Sequence, residues 1–425
     1  MEKHLIYDQY MYSYPHKTAY RPLRDIDLNK YLTKLSGEED TLYFHIPFCE
    51  TKCGYCNLFS VTGQKEEDFD VYIRAMERQC QQYALKDNVS FRNLVLGGGT
   101  PLLLSVPQLE RTFELAEKYC HTSSHQAFTI TETSPNQTDE EKLSFLKERG
   151  VNRISIGVQS FHDTELAALH RRHKAAEAER ALTLLKEHQF DVLNVDLIYG
   201  IPGQTAASLQ YSLEKALSFS PEEIFIYPLY IQKETWMHQQ GLKQNEAAYE
   251  MYWQMMEKLQ KEGYYQTSMR RFTKTGEKPA TDCGFETTLA IGCGGRSYLE
   301  NLHFCSPYAI EGAKCRSIIR DYVERDDDKV IDNGYLLSDE EMKRRYVIKN
   351  LLHTRGIDLQ VYCMRFGTSL QNDFAILHDL ERDGYVAEKN GFLRLTSEGL
   401  SLSDAIGPLF ISDEVRGKMR YNDRS

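Results

Sequence analysis

Tyr43-Phe44-His45-Ile46-Pro47-Phe48-Cys49-Glu50-Thr51-Lys52-Cys53-Gly54-Tyr55-Cys56 places three cysteines within eight residues, at the spacing C-x3-C-x2-C, directly after a β-rich run. Three soft thiolates with no fourth cysteine or histidine adjacent suit an iron–sulfur cluster better than a structural zinc, which takes a closed set of four ligands. A four-iron cluster held by three thiolates leaves one iron open, and an open iron can bind a substrate or a cofactor. The amino and carboxylate groups of a methionine moiety are ligands of that kind. Reductive cleavage of S-adenosylmethionine at a [4Fe-4S] cluster is therefore the chemistry the spacing suggests. The plainer alternative is three cysteines buried beside a turn.

Outward from that stretch the chain alternates. Short β-rich runs at 42–46, 94–96, 128–132, 153–158, 193–198 and 224–227 are each followed by a longer amphipathic run. Thr138-x-x-Glu141 reads as a capping box and Gly150 as a helix stop; further helices are expected over 205–219 and 246–262, the second stopped at Gly263. Six βα units in a row predict an α/β fold with a parallel sheet, a partial (β/α)6 TIM-like barrel over residues 41–300. The polar and glycine residues collect just after the strands. The cysteines follow the first and Gly97-Gly98-Gly99-Thr100-Pro101 the second, while Glu132, Gln159, Asp196 and Tyr227 close the third to sixth. In parallel βα architectures that edge carries the active site.

The chain has 425 residues, enough for one large domain with appendages. Its 62 acidic against 51 basic residues, net −11, argue against nucleic acid or an anionic membrane as partner. Met1-Glu2-Lys3-His4-Leu5 has no apolar signal-peptide region, and no run reaches the roughly 18 apolar residues of a membrane span. Ten cysteines without a secretory signal imply a reducing, cytoplasmic location. Cys80, Cys120, Cys305, Cys315 and Cys363 are expected to pack as small apolar residues.

Residues 1–40 are aromatic and polar, with Tyr10-Met11-Tyr12-Ser13-Tyr14-Pro15, and read as an arm lying across another domain. Gly292-Cys293-Gly294-Gly295-Arg296 is expected at the barrel mouth. Residues 301–425 read as a C-terminal helical, winged-helix-like module. Its core opens at the capping box Ser338-x-x-Glu341 and closes on a hairpin, 385–389 with 392–396, turned by Asn390-Gly391. Its nearly balanced charge favours a lid or substrate-domain role over DNA reading.

Among the strand-end residues, Glu132 and Asp196 could bind ribose hydroxyls or an ammonium, or merely cap helices. Arg171 could meet a carboxylate through its planar fork. His170 and His173 have no third ligand in view, so a separate metal site there is not expected. Arg21, Arg270 and Arg271 are candidates for substrate carboxylates.

Together these residues resemble one family, the oxygen-independent coproporphyrinogen III oxidase type of radical S-adenosylmethionine enzyme, which includes a heme-chaperone branch. His45–Cys49, Gly97–Pro101, Asn152–Phe161 and Asp196–Thr205 carry the likeness. It implies that Cys49, Cys53 and Cys56 hold a [4Fe-4S] cluster. Tyr43, Tyr55, Gly98, Gly99, Thr100, Glu132, Gln159, Arg171 and Asp196 would then contact S-adenosylmethionine, with Tyr298 a looser match. It further implies reductive cleavage of S-adenosylmethionine to a 5′-deoxyadenosyl radical and oxidative decarboxylation of a porphyrinogen. The partners would be a tetrapyrrole-like small molecule and an external electron donor such as flavodoxin or ferredoxin.

Two departures stand out. Leu58 occupies the position of the oxidase's fourth cysteine. The stretch from Cys283 to Ala290 lacks the His-Asn-x-x-Tyr-Trp motif of the chaperones, while Tyr12-Ser13-Tyr14-Pro15 is similar to the oxidase's arm. A heme- or tetrapyrrole-binding chaperone, or a radical enzyme acting on an unrelated substrate such as a peptide, remain the alternatives.

Overall fold

In β1 (Thr41–Ile46), Leu42, Phe44 and Ile46 are fully buried while Tyr43 between them is half-buried on the opposite face. A strand's side chains alternate, so one face packs against helices and the other looks into the barrel. The same alternation forms β2 (Asn93–Gly98), β3 (Phe128–Thr133), β4 (Arg153–Gln159), β5 (Val192–Tyr199) and β6 (Glu223–Pro228). All lie within a residue or two of the β-rich runs. On their outer faces Leu94, Leu96, Ile154, Ile156, Val195, Leu197 and Ile224 are fully buried. Each such side chain contributes about 1.5–3 kcal/mol of burial. The computed structural model describes residues 11, 13–37, 39–275 and 287–422. Tyr12 of the arm and Cys283 of the chaperone-motif position lie outside these.

β1 to β6 pair in parallel and in chain order. β7 (Tyr265–Gln266) and β8 (Arg271–Thr273) add antiparallel strands beyond β6. β9 (Thr288–Ile291) returns to the other side of β1 and pairs with it in parallel, a seventh parallel strand. From there β10 (Arg296–Leu299), β11 (Leu302–Cys305) and β12 (Gly334–Leu336) continue antiparallel past residue 300. The result is one open sheet of 12 strands, a partial barrel. The glycine-rich turn Gly292–Gly295 follows β9 and lies at the mouth, against His45.

Helix Ala206–Ser218 starts at Thr205, whose hydroxyl accepts from Ser208 N–H, and Ala248–Lys261 matches its expected span. One cap differs. Asp139, not Thr138, caps helix Glu140–Glu148, accepting from Lys142 N–H at 2.9 Å. Thr138 is buried and hydrogen-bonds Thr133 at 3.1 Å, tying the end of β3, so the carboxylate beside it takes the helix.

A second core lies in the C-terminal module, and the arm is part of it. Met11, Tyr14, Ala19 and Tyr20 pack with Val347, Leu351, Tyr362, Leu377 and Phe410. Tyr14 Oη donates to the Glu341 carboxylate and accepts from Ser412 N–H at 3.2 Å. Ser338 caps helix Asp339–Leu351 as expected. β13 (Ile357–Asp358), β14 (Val386–Lys389) and β15 (Phe392–Leu395) form a small antiparallel sheet in the order β13-β15-β14. Asn390 (φ 54°) and Gly391 (φ 76°) make its hairpin turn. Cys80, Cys120 and Cys315 are buried, but Cys363 is exposed, on the outer side of helix Leu359–Phe366.

Candidate active site

The loop after β1 folds back on itself. Cys49 N–H donates to Val61 O at 2.9 Å and Val61 N–H to Pro47 O at 2.8 Å, fixing both ends. Its middle is held from outside: Gly54 N–H donates to Leu169 O and Met237 N–H to Gly54 O, both at 2.9 Å. A Cβ on Gly54 would stand 2.8 Å from the Trp236 ring, which itself stacks on His170 with centroids 4.7 Å apart. Lys52 Nζ donates to Ile310 O at 2.5 Å and Ser60 O at 3.3 Å. Cys49, Cys53 and Cys56, all free thiols, are thereby grouped half-buried on one pinned loop.

Burial, and then the Cys56 thiol, push the Cys49 thiol up to about 12; burial and then Cys53 raise Cys56. Sulfurs that oppose one another's ionisation lie within electrostatic range of one another, and a bound cation would favour their ionising together. Among the described residues no three His, Cys, Asp or Glu are spaced for a single metal ion. A polynuclear cluster takes its thiolates further apart than one ion does. Arg171 Nη1 donates to Cys53 Sγ at 3.1 Å, and Thr100 Oγ1 lies 3.9 Å from Cys49 Sγ. Gly99 lies against the same loop: a Cβ there would be 2.5 Å from Phe48 O and 2.8 Å from Cys49 Sγ.

Beside the thiols the inner face of the barrel is short of partners. A Cβ on Gly97 would sit 3.0 Å from Tyr43 Oη and 3.3 Å from Glu132 Oε1, so its absence keeps that corner open. Gly98, at φ +121°, turns its N–H towards Glu132 Oε2 at 3.4 Å. Burial, then the charge of Asp196, pushes the Glu132 carboxyl up to about 7. Burial likewise pushes Asp196 up to about 6, although Asn194 Nδ2 donates to it at 2.8 Å. Gln159 takes a left-handed backbone (φ 72°) where the β4–β5 register shifts, a strained conformation for a side-chain-bearing residue. Its Oε1 and the Nε of Arg171 are both buried with no hydrogen-bond partner. Tyr55 packs on Leu169, Ile198 and Met237, within electrostatic reach of Arg171 and Asp196.

Two carboxyls wanting a cation or hydroxyls, an orphan acceptor and an orphan donor thus line one strand edge beside three thiols. That donor set fits a [4Fe-4S] cluster together with a ligand joining an amino acid to a ribose, as S-adenosylmethionine does.

The three arginines proposed for substrate carboxylates are otherwise engaged. Arg270 bonds the Asp404 carboxylate and Tyr230 Oη, linking the barrel to the C-terminal module. Arg271 shares Glu223 with Arg153 (2.8 Å), at the starts of β4 and β6 and so at the end away from the thiols. Arg21 donates to Tyr20 O at 2.6 Å, Thr18 O at 3.0 Å and Lys418 O. Charge alone suggested a ligand; in the fold, protein acceptors are nearer. Tyr298 is buried, its ring edge-on to His303 (centroids 4.7 Å).

Sequence reasoning gave His45 no role. A Cβ on Gly98 would sit 2.8 Å from its Cε1 and one on Gly294 2.8 Å from its Nε2. Nδ1 lies 3.2 Å from Tyr43 Oη and Nε2 3.2 Å from Phe59 O. Burial drives its pKa down to about 4, so it is neutral. The Trp236–His170 stack over the loop was also missed, because no local pattern marks it.

A model of the radical SAM superfamily matches residues 43–216, and one of the HemN C-terminal domain matches residues 337–402. The chain is 28% identical to heme chaperone HemW of Bacillus subtilis over 390 residues, 87% of this chain and 99% of that protein. It is 25% identical to an oxygen-independent coproporphyrinogen III oxidase of Synechocystis over 432 residues, 93% of this chain and 90% of the relative. Among solved structures, coproporphyrinogen III oxidase (HemN) from Escherichia coli has the same fold, with a TM-score of 0.82, 21% identity, and coverage of 94% and 96%.

Proposed function

The chain belongs to the radical S-adenosylmethionine superfamily, in the family of HemW and oxygen-independent coproporphyrinogen III oxidase, and on that premise we propose that it is an enzyme oxidising a tetrapyrrole side chain. The family's cofactors are a [4Fe-4S] cluster and S-adenosylmethionine. In this reading Cys49, Cys53 and Cys56 hold the cluster. When bound, the two supply an electron to the sulfonium and a 5′-deoxyadenosyl radical that takes a hydrogen atom from the substrate.

The protein's own residues position and shield. Gly98, Gly99 and Thr100 let the methionine part approach the backbone, and Tyr43 and Tyr55 wall it in. Glu132 Oε1 and the Asp196 carboxylate receive ammonium or hydroxyl donors, Gln159 Oε1 accepts one more, and Arg171 Nε meets a carboxylate. The Trp236–His170 stack packs over Gly54 of the loop. An external one-electron donor such as flavodoxin or ferredoxin completes the reading. No helix among the described residues is long and apolar enough to cross a membrane.

The observation that carries this reading is the set of orphaned and pKa-raised groups converging beside the three thiols. A second reading, a tetrapyrrole-binding protein without turnover, draws on Leu58, which is 43% exposed where the oxidase has its fourth cysteine, and on the likeness to HemW. One anaerobic assay of the reconstituted protein with dithionite and S-adenosylmethionine, with and without coproporphyrinogen III, separates them. The enzyme reading expects 5′-deoxyadenosine and decarboxylated porphyrin to rise in step. Deoxyadenosine without porphyrin product removes this substrate, and neither product, with an intact cluster, favours the binding protein.

A further inference from the structure

The arm carries a buried lysine. Lys17 opens the short turn Lys17–Ala19, within the segment that packs Tyr14, Ala19 and Tyr20 into the second core, and is only 9% exposed. Among the described residues its ammonium meets one group, the face of Tyr308, 4.8 Å from the ring centroid. A buried ammonium without an anion is strongly unfavourable, and a ring face offsets little of that.

A second cation shares its surroundings. Arg296 begins β10 directly after the glycine turn, and its Nη1 donates to Ser13 Oγ of the arm at 3.3 Å. Lys17 and Arg296 both act electrostatically on His16, His45 and Cys305, and Lys17 also on Cys56. His45 is near the end of β1, so the two cations stand at the barrel mouth, where the arm crosses it.

We propose that Lys17 and Arg296 form a carboxylate-binding pair that anchors an acidic side chain of the substrate beneath the arm. Resting on the tetrapyrrole reading above, the ligand group is a propionate. One carboxylate between an ammonium and a guanidinium would receive charge-assisted bonds from both, giving the arm a role in recognition as well as packing.

The test is an anaerobic absorbance titration of the cluster-loaded protein with coproporphyrin III and, separately, its tetramethyl ester. The unmodified protein is expected to bind the acid at least about 10-fold more tightly than the ester. Lys17→Met should lose about 10-fold for the acid and nothing for the ester, Lys17→Arg should keep most of the affinity, and Arg296→Met carries the same comparison should Lys17→Met fail to fold. Iron content and the cluster's midpoint potential should not change. If the unmodified protein prefers the acid but Lys17→Met binds it equally well, the site is wrong and the tetrapyrrole reading survives. Binding of neither probe overturns that reading and this ligand with it; equal binding of acid and ester overturns carboxylate recognition. A shifted midpoint potential with unchanged acid binding would assign Lys17 to the cluster instead.

Discussion

Two glycine turns flank β1, one after β2 and one after β9, and both press on His45. The first meets the cysteine loop: Gly99 lies where a Cβ would strike Phe48 O and Cys49 Sγ, and Gly97 keeps open the corner between Tyr43 and Glu132. The second is tied by protein hydrogen bonds, although Gly292, Cys293 and Gly295 also line a cavity with Tyr322 and Asp328. Gly292 N–H donates to Gln79 Oε1 at 2.9 Å, Cys293 N–H to Tyr72 Oη at 2.7 Å and Gly294 N–H to Ser306 Oγ at 2.7 Å. Similar glycine clusters at neighbouring strand ends therefore do different work. In the proposed reading one leaves room for a ligand, and the other lets a distant strand close against β1.

The largest effect should come beside the first turn. Cys53→Ala, or either companion, should abolish cluster loading after anaerobic reconstitution and cut S-adenosylmethionine cleavage by roughly 1,000-fold or more, with little change in melting of the iron-free protein. Full iron content in that variant would remove the loop from the site.

The two turns can then be set against each other directly. Gly99→Ala should impair iron loading out of proportion to a stability loss of about 1–3 kcal/mol. Gly294→Ala puts a Cβ 2.5 Å from the Phe59 ring at a φ of +94°, and should lower stability by about 2–3 kcal/mol while the folded fraction still loads iron. Iron loss in Gly294→Ala at an unchanged melting temperature would erase the distinction.

Glu132→Gln should weaken S-adenosylmethionine binding by roughly 10-fold at pH 8. In the unmodified protein affinity should rise from pH 6 to 8, because burial and then Asp196 hold this carboxyl protonated up to about pH 7, and the ionised form is the better acceptor. The stability linkage runs the other way. A carboxyl whose folded pKa is raised binds more protons folded than unfolded, so the ligand-free protein should lose stability as pH climbs from about 4.5 to 7. A flat binding profile in the unmodified protein would exclude Glu132 from the pocket.

The smallest effect lies in the second core. Tyr14→Phe removes the hydrogen bonds to Glu341 and Ser412 and should lower stability by about 1–2 kcal/mol, leaving iron content unchanged.

Local chemistry wrote much of this molecule. Period-two burial placed β1 to β6, Thr205 and Ser338 placed helix starts, and Asn390-Gly391 placed the hairpin, because each signal acts over a few residues. The thiol spacing and the polar residues at strand ends were legible for the same reason: a parallel sheet brings all its strand ends to one edge. Arg270 and Arg271 were misread because their acceptors are remote in sequence, Asp404 lying 134 residues from Arg270. Arg21 is instead taken up by the nearby carbonyls of Thr18 and Tyr20 as well as by Lys418 O.

By itself, then, the sequence determined the alternating elements, the open barrel and a three-thiol loop at the C-terminal edge of its strands. Tertiary structure alone decided that β9 completes the sheet beside β1, that the arm shares a core with the C-terminal module, and that Lys17 is buried at the barrel mouth. The reason is range. Propensity and spacing act between near neighbours, whereas the partner of a charge, or the strand beside an edge, is chosen by packing between segments hundreds of residues apart.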